Sequence, residues 1–161
     1  MVIDRARLWP EDPRVWRLVL VRYLAVFAPL SLLWEIAQLP LYSLWTQASP
    51  ASIAYAVIHC TLGDMLIGVL ALLVALLVTR AGPLERWRWG RLGAVAVGFG
   101  LVYTAFSEWF NTAVRMSWSY SDWMPLTPIV GLGVSPLLQW LLLPTVALAW
   151  ARAAARKVNQ V

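Results

Sequence analysis

The run "SIAYAVIHCTLGDMLIGVLALLVALLV", Ser52 to Val78, decides the class of fold. It is longer than the ~20 residues that an α-helix needs to cross a hydrocarbon core about 30 Å thick. Its one charged side chain is Asp64. Three more runs have the same character, so spans are expected at about 22–45, 52–78, 92–113 and 128–151. With 61% hydrophobic and 13% charged residues, the chain has too little polar surface to dissolve as a globule. A membrane β-barrel would show short alternating segments instead of continuous apolar runs. The fold class is therefore all-α, an integral membrane four-helix bundle in a single domain spanning 1–161.

The connections fit that reading. "QASPAS" (Gln47 to Ser52) offers a turn and a Ser to cap the second helix, and "TRAGPLERWRWGR" (Thr79 to Arg91) breaks the chain with Gly and Pro. Short loops predict antiparallel neighbours. "RMSWSYSDWMPLTP" (Arg115 to Pro128) is richer in Trp, Ser and Tyr, and its 118–128 part is expected to fold over a pocket mouth, with Tyr120 reaching toward Glu108 or Asn111. "RLWPEDPRVWRLVL" (Arg7 to Leu20) reads as an interfacial amphipathic helix at 7–20, leading into the first span. The acids and prolines of this segment do not suit the n-region of a cleaved signal peptide.

Charge sets an orientation. Arg5, Arg7, Arg14, Arg17 and Arg22 precede or open the first span, and Arg80, Arg86, Arg88 and Arg91 fill the second loop. Arg152, Arg156 and Lys157 follow the last span, leaving Arg115 alone for the opposite side. The positive-inside rule then predicts a cytoplasmic N-terminus and C-terminus. Anionic lipid headgroups at that face account for the +5 net charge, and nucleic-acid binding is not implied. Twelve Arg against one Lys point to a GC-rich genome and a bacterial inner membrane.

The polar residues inside the spans fall at similar depths. At 1.5 Å per residue, Glu35 lies about 10 to 15 Å below the outer surface, His59 about 10 Å, Asp64 about 18 Å and Gln139 about 16 Å, while Glu108 and Asn111 lie within about 10 Å. Glu35 and Gln38, Glu108 and Asn111 with Thr104, Ser135 and Gln139, and Tyr55 and His59 are each three or four apart and share a helix face. Asp64 is five residues beyond His59 and points to another side, toward a neighbouring helix or a different wall of the pocket. An ionisable side chain in a span costs about 2.5 to 3.5 kcal/mol on insertion scales, so all four ionisable groups are expected to face inward.

Convergent acids and an imidazole form an acid-base set. Glu35, His59, Asp64 and Glu108 are the candidate catalytic residues, because one member can donate a proton while another accepts. Trp34, Gln38, Tyr55, Trp109, Asn111, Tyr120, Gln139 and Trp140 are the candidate binding residues, with indole faces suited to a cation. Gln139 taken alone reads as an interhelical hydrogen bond. Such a pocket suits protonation and deprotonation of a carbon skeleton, or the binding of an amphiphilic amine. One His with three carboxylates, lacking a His pair or an i, i+3 Glu-His motif, implies no metal, and no cofactor is implied. Cys60 reads as a small packing residue. "GFG" (Gly98 to Gly100) reads as a close helix approach, not a phosphate loop.

"WEIAQLPLY" (Trp34 to Tyr42) followed by "AYAVIHCTLGDMLIG" (Ala54 to Gly68) resembles the helix pair of the EXPERA group, the emopamil-binding-protein-like membrane proteins, and "SPLLQWLLLP" (Ser135 to Pro144) is similar to that group's last helix. The resemblance implies a cavity of sterol or lipid size, with Glu35 and His59 matching positions in the pattern. Here the acid-to-Gln spacing is one residue shorter and the pair comes first instead of second. The expected function is binding or acid-base modification of a membrane lipid or isoprenoid. The rival is a non-catalytic accessory subunit docked on a larger membrane-protein partner.

Overall fold

A computed structural model describes the backbone of residues 9–158 and the side chains of residues 9–155. It is all-α, with four long apolar helices: α1 Pro13–Leu41, α2 Pro50–Val78, α3 Trp89–Val114 and α4 Val134–Val158. The chain is a polytopic membrane protein with four candidate spans. α1 packs on α2 and α4, α2 on α3, and α3 on α4, which closes a ring of antiparallel neighbours.

Local chemistry starts each helix. Asp12 accepts the Arg14 backbone N–H at 2.9 Å and Pro13 occupies the first turn of α1, so the helix begins well before residue 22. Ser49 caps α2 through the Ser52 N–H at 3.2 Å, again with Pro in the first turn. The separate interfacial helix expected at 7–20 is not present as such. Residues 7 and 8 lie outside the described residues, and from Pro13 the chain runs without a break into the span, winding as π-helix over Leu18–Tyr23. Val15, Leu18 and Val19 are buried in the bundle core, because their spacing turns one face inward. Only the outer face keeps interfacial character: Trp16 is exposed and donates from Nε1 to the Pro10 carbonyl at 3.0 Å.

The half of the bundle near the arginine-rich loop is a plain core of Leu72, Ala75, Leu76, Leu92, Ala96, Ala147 and Ala151. Small side chains let the helix backbones approach closely there. The fourth helix begins at Val134, not near 128. Residues 126–133 form a tight reversal instead: Leu126 bridges to Gly133, the Thr127 N–H donates to the Leu132 carbonyl at 2.8 Å, and Gly131 takes φ +65, the left-handed conformation that glycine adopts without strain.

That reversal belongs to a loop fastened to the end of α1. Ser43 N–H donates to Ser119 O and Ser121 N–H to Leu41 O, both at 3.0 Å. The Ser121 hydroxyl donates to Pro40 O at 2.8 Å, and Tyr42 and Tyr120 pair as an antiparallel bridge. The loop therefore closes one end of the bundle.

Candidate functional site

Beneath this loop is a cavity of about 490 Å³ to which all four helices contribute. The last turns of α1 supply Glu35 and Gln38, and α2 supplies His59, Cys60, Gly63 and Asp64. The face of α3 that carries Tyr103, Thr104, Ser107, Glu108 and Asn111 forms a third wall, and Gln139 and Trp140 of α4 close the fourth. Spacings of three and four residues put each set on one side of its helix.

Two hydrogen-bonded clusters hold the acids. In the first, Gln139 Nε2 donates to Asp64 Oδ2 at 2.6 Å and to Glu35 Oε1 at 3.3 Å, so one amide joins α4 to α2 and α1. Gln38 Nε2 donates to the same Glu35 oxygen at 2.9 Å. Gln38 Oε1 accepts from the Ser135 hydroxyl at 2.9 Å, and Ser135 accepts from Trp34 Nε1 at 3.2 Å. In the second cluster, Glu108 Oε2 accepts from Tyr120 at 2.5 Å and from Tyr42 at 3.4 Å, and the Tyr120 oxygen in turn accepts the Gly133 backbone N–H at 3.0 Å. Burial, and next the Glu108 carboxylate, push both phenols above their ordinary range, so they serve as donors.

Among the described residues no Lys, Arg or His forms an ion pair with Glu35, Asp64 or Glu108; the ion pairs join Arg14 to Asp12 and to Glu85, at the other end of the bundle. Three carboxyl groups thus meet one cavity, hydrogen-bonded among the described residues to neutral donors. A carboxylic acid in this setting can donate a proton and its neighbour can accept one.

Glu35, Gln38, His59, Asp64, Glu108, Asn111, Gln139 and Trp140 all line the cavity. The other predicted positions do not. Trp34 donates to Ser135, which in turn donates to the lining Gln38, and Tyr120 stands behind the lining Glu108. Tyr55 is 68% exposed and Trp109 49% exposed, and both face outward. Trp109 packs against Phe106 on the outer side of α3, one residue away from the inward face carried by Glu108.

His59 also departs from the expected inward orientation: it is exposed and stacks on Tyr55 with centroids 5.6 Å apart. The inward face of α2 runs through Val57, Asp64 and Gly68, which leaves His59 at its edge. With Tyr103 of α3, likewise exposed, it frames a lateral opening between α2 and α3.

Several lining residues went unassigned by sequence reasoning, Cys60, Tyr42, Trp118 and Arg115 among them. Cys60 is four residues before Asp64, a spacing that signals its face. Tyr42 and Trp118 enter where the loop folds back over the mouth; the composition of 118–128 signals the fold-back but not that these two residues reach the cavity. Arg115 reads from sequence as a topology charge, yet it too lines the cavity. Its position follows from the end of α3: Arg115 N–H donates to Phe110 O and Ser117 N–H to Asn111 O, both at 2.8 Å, and Met116 takes φ +51, turning the chain across the mouth.

Comparison with protein-family models, curated proteins and solved structures finds no match for this chain.

Proposed function

We propose that the cavity binds the polar end of a hydrophobic membrane lipid or isoprenoid and acts on it by acid-base chemistry. The observation that carries this reading is the meeting of Glu35, Asp64 and Glu108, from three helices, around one cavity with no ion pair to a cation among the described residues. Its volume of about 490 Å³ is of the size that encloses a small-molecule group. The opening framed by His59 and Tyr103 faces the side of the bundle, where a membrane-borne molecule arrives. The likeness to the EXPERA group points the same way. In this reading Glu35 and Glu108 are the proton donor and acceptor pair, with His59 at the opening as a second titrating group. The positive-inside pattern supports a bundle with both termini in the cytoplasm and the cavity in the outer half of a bacterial inner membrane.

A second reading has a specific observation in its favour. Gln139 links Asp64 and Glu35 across three helices, as a device that fixes helix register would, and this suits an accessory subunit of a larger complex. Purification in mild detergent followed by native mass spectrometry separates the two. A stable monomer that carries bound lipid, and carries less of it in Glu108→Gln, supports the pocket. A chain that is stable only with a partner and never carries lipid rejects it.

A further inference from the structure

The charges around the cavity are arranged by depth, and that arrangement bears on the ligand's head group. Glu35, Asp64 and Glu108 lie within, while Arg115 and Ser117 stand at the end where the loop turns across. Arg115 forms no hydrogen bond or ion pair with any of the three acids. The other described arginines, Arg14, Arg17, Arg22, Arg80, Arg86, Arg88, Arg91 and Arg152, belong to the opposite end. Trp118 adds a buried Nε1–H that lines the cavity beside Glu108 with no closed hydrogen bond.

No single-sign head group satisfies this set. A wholly anionic head faces three carboxyl groups, and Arg115 answers only one of them. A wholly cationic head meets the acids but must pass a guanidinium that it repels. A head with an amine inward and an anion outward satisfies both. Arg115 follows Glu108 by seven residues, just past the π-helical last turn of α3 at Phe110–Val114, and both line the cavity. Two side chains, both reaching one cavity, can meet the amine and the phosphate of a single head group. A guanidinium also presents paired donors that match phosphate oxygens.

We propose that the ligand head is zwitterionic, an amine that meets the carboxyl groups within the cavity, joined to a phosphate that Arg115 holds at its mouth. This rests on the lipid-pocket reading above. The amine-phosphate unit belongs to a lipid instead of a dissolved molecule, because the His59 and Tyr103 opening lies well inside the apolar part of α2 and α3.

Nanodiscs containing equal amounts of phosphatidylethanolamine and phosphatidylglycerol with matched chains provide the test, read by native mass spectrometry of the lipid that stays bound. The wild type should retain the amine lipid about tenfold over the glycerol lipid, the scale of one charge-assisted contact. Glu108→Gln should bring that ratio toward one. Arg115→Gln should weaken retention of phosphatidylethanolamine while leaving that of an alkylamine of equal chain length unchanged. Gly63→Leu is the control for the pocket itself. Gly63 lines the cavity and a Cβ added there meets nothing within 4 Å, so the leucine fills space with the bundle intact and should remove every bound lipid.

Equal retention of the two lipids by the wild type, with Gly63→Leu still blocking both, overturns the zwitterionic head and leaves the lipid pocket standing. Identical lipid retention by wild type and Gly63→Leu overturns the pocket and this inference together. An Arg115→Gln protein that binds phosphatidylethanolamine as the wild type does overturns the phosphate contact. Displacement of the lipid by water-soluble phosphoethanolamine at equal concentration overturns the membrane source.

Discussion

Tyr120 and Glu108 are joined by a 2.5 Å hydrogen bond from phenol to carboxyl, across twelve residues and the end of a helix. Because the same phenol oxygen accepts the Gly133 N–H and the same carboxyl oxygen accepts from Tyr42, one acid ties the ends of α1, α3 and α4 to the closing loop. The cavity wall and its cover are therefore one hydrogen-bonded unit. What disturbs Glu108 should reach the loop, and the reverse.

Tyr120→Phe tests this coupling. The change strips Glu108 of its shortest donor and leaves the Gly133 N–H without its acceptor, a cost of about 1–3 kcal/mol. The Ser43 and Ser121 amides, which fasten the loop to α1, should exchange hydrogen faster by the corresponding factor. In the wild type, added lipid should slow exchange across 118–128. An exchange pattern in Tyr120→Phe that matches the wild type would show that the loop is held by its backbone alone.

The same phenols set a pH limit. Burial raises Tyr120 and Tyr42 above the ordinary tyrosine value of about 10, so the folded protein binds these protons more tightly than the unfolded chain. Their contribution is whole below about pH 10 and declines as the pH rises above it, where the unfolded chain gives up its protons first. Loop protection should be flat from neutral pH to that point and fall beyond it. A decline beginning near neutrality would assign the pH sensitivity to another group.

Gly98 and Gly100 should respond in opposite ways to alanine. A Cβ at Gly100 would overlap the buried Trp140 ring, which also packs on Phe27 with centroids 5.8 Å apart. Overpacking of this kind costs about 1–3 kcal/mol, so Gly100→Ala should lower Tm in detergent. At Gly98 a Cβ meets nothing within 4 Å, and the helix propensity of Ala favours the change by up to about 1 kcal/mol. Equal Tm shifts for the two variants would contradict the close α3–α4 approach at Gly100.

This pair shows which parts of the architecture are legible in sequence. Run length marks the four helices, because covering a hydrocarbon core demands length and apolarity. Matched depth and spacings of three and four bring Glu35, Gln38, Asp64, Glu108 and Gln139 to one cavity. Spacing relates residues within one helix but does not say how that helix is rotated against its neighbours. His59, Tyr55 and Trp109 therefore fall at or beyond the edge of the inward faces. Likewise, "GFG" signals a close approach without telling which glycine makes it. The fold-back that brings Trp118 and Arg115 to the cavity depends on backbone bonds between residues far apart in the chain, such as Ser43 to Ser119.

The orientation expected from the Lys and Arg distribution is open to direct measurement. A reporter active only in the periplasm should be silent at Gly82, in the arginine-rich loop, and active at Gln47, beside the loop that covers the cavity. The opposite pattern would place the cavity in the inner half of the membrane and reverse the side from which its mouth is reached.

Glu35 offers the most direct separation of a functional from a structural acid. Its Oε1 accepts from Gln38 and Gln139, and no hydrogen bond or ion pair joins it to His59. Glu35→Gln keeps a carbonyl oxygen for both donors and keeps the side-chain shape, so Tm in detergent should change by no more than a surface substitution does, within about 0.5 kcal/mol. Removal of the acid should nevertheless cost a factor of about 10² to 10⁴ in any proton-transfer step it performs, and lipid retention should fall with it. The measurement is a thermal melt beside native mass spectrometry of bound lipid on one sample. A large loss of Tm with undiminished lipid in the surviving folded fraction would make Glu35 a strut between α1 and α4. An unchanged melt with lost lipid would make it part of the working surface of the cavity.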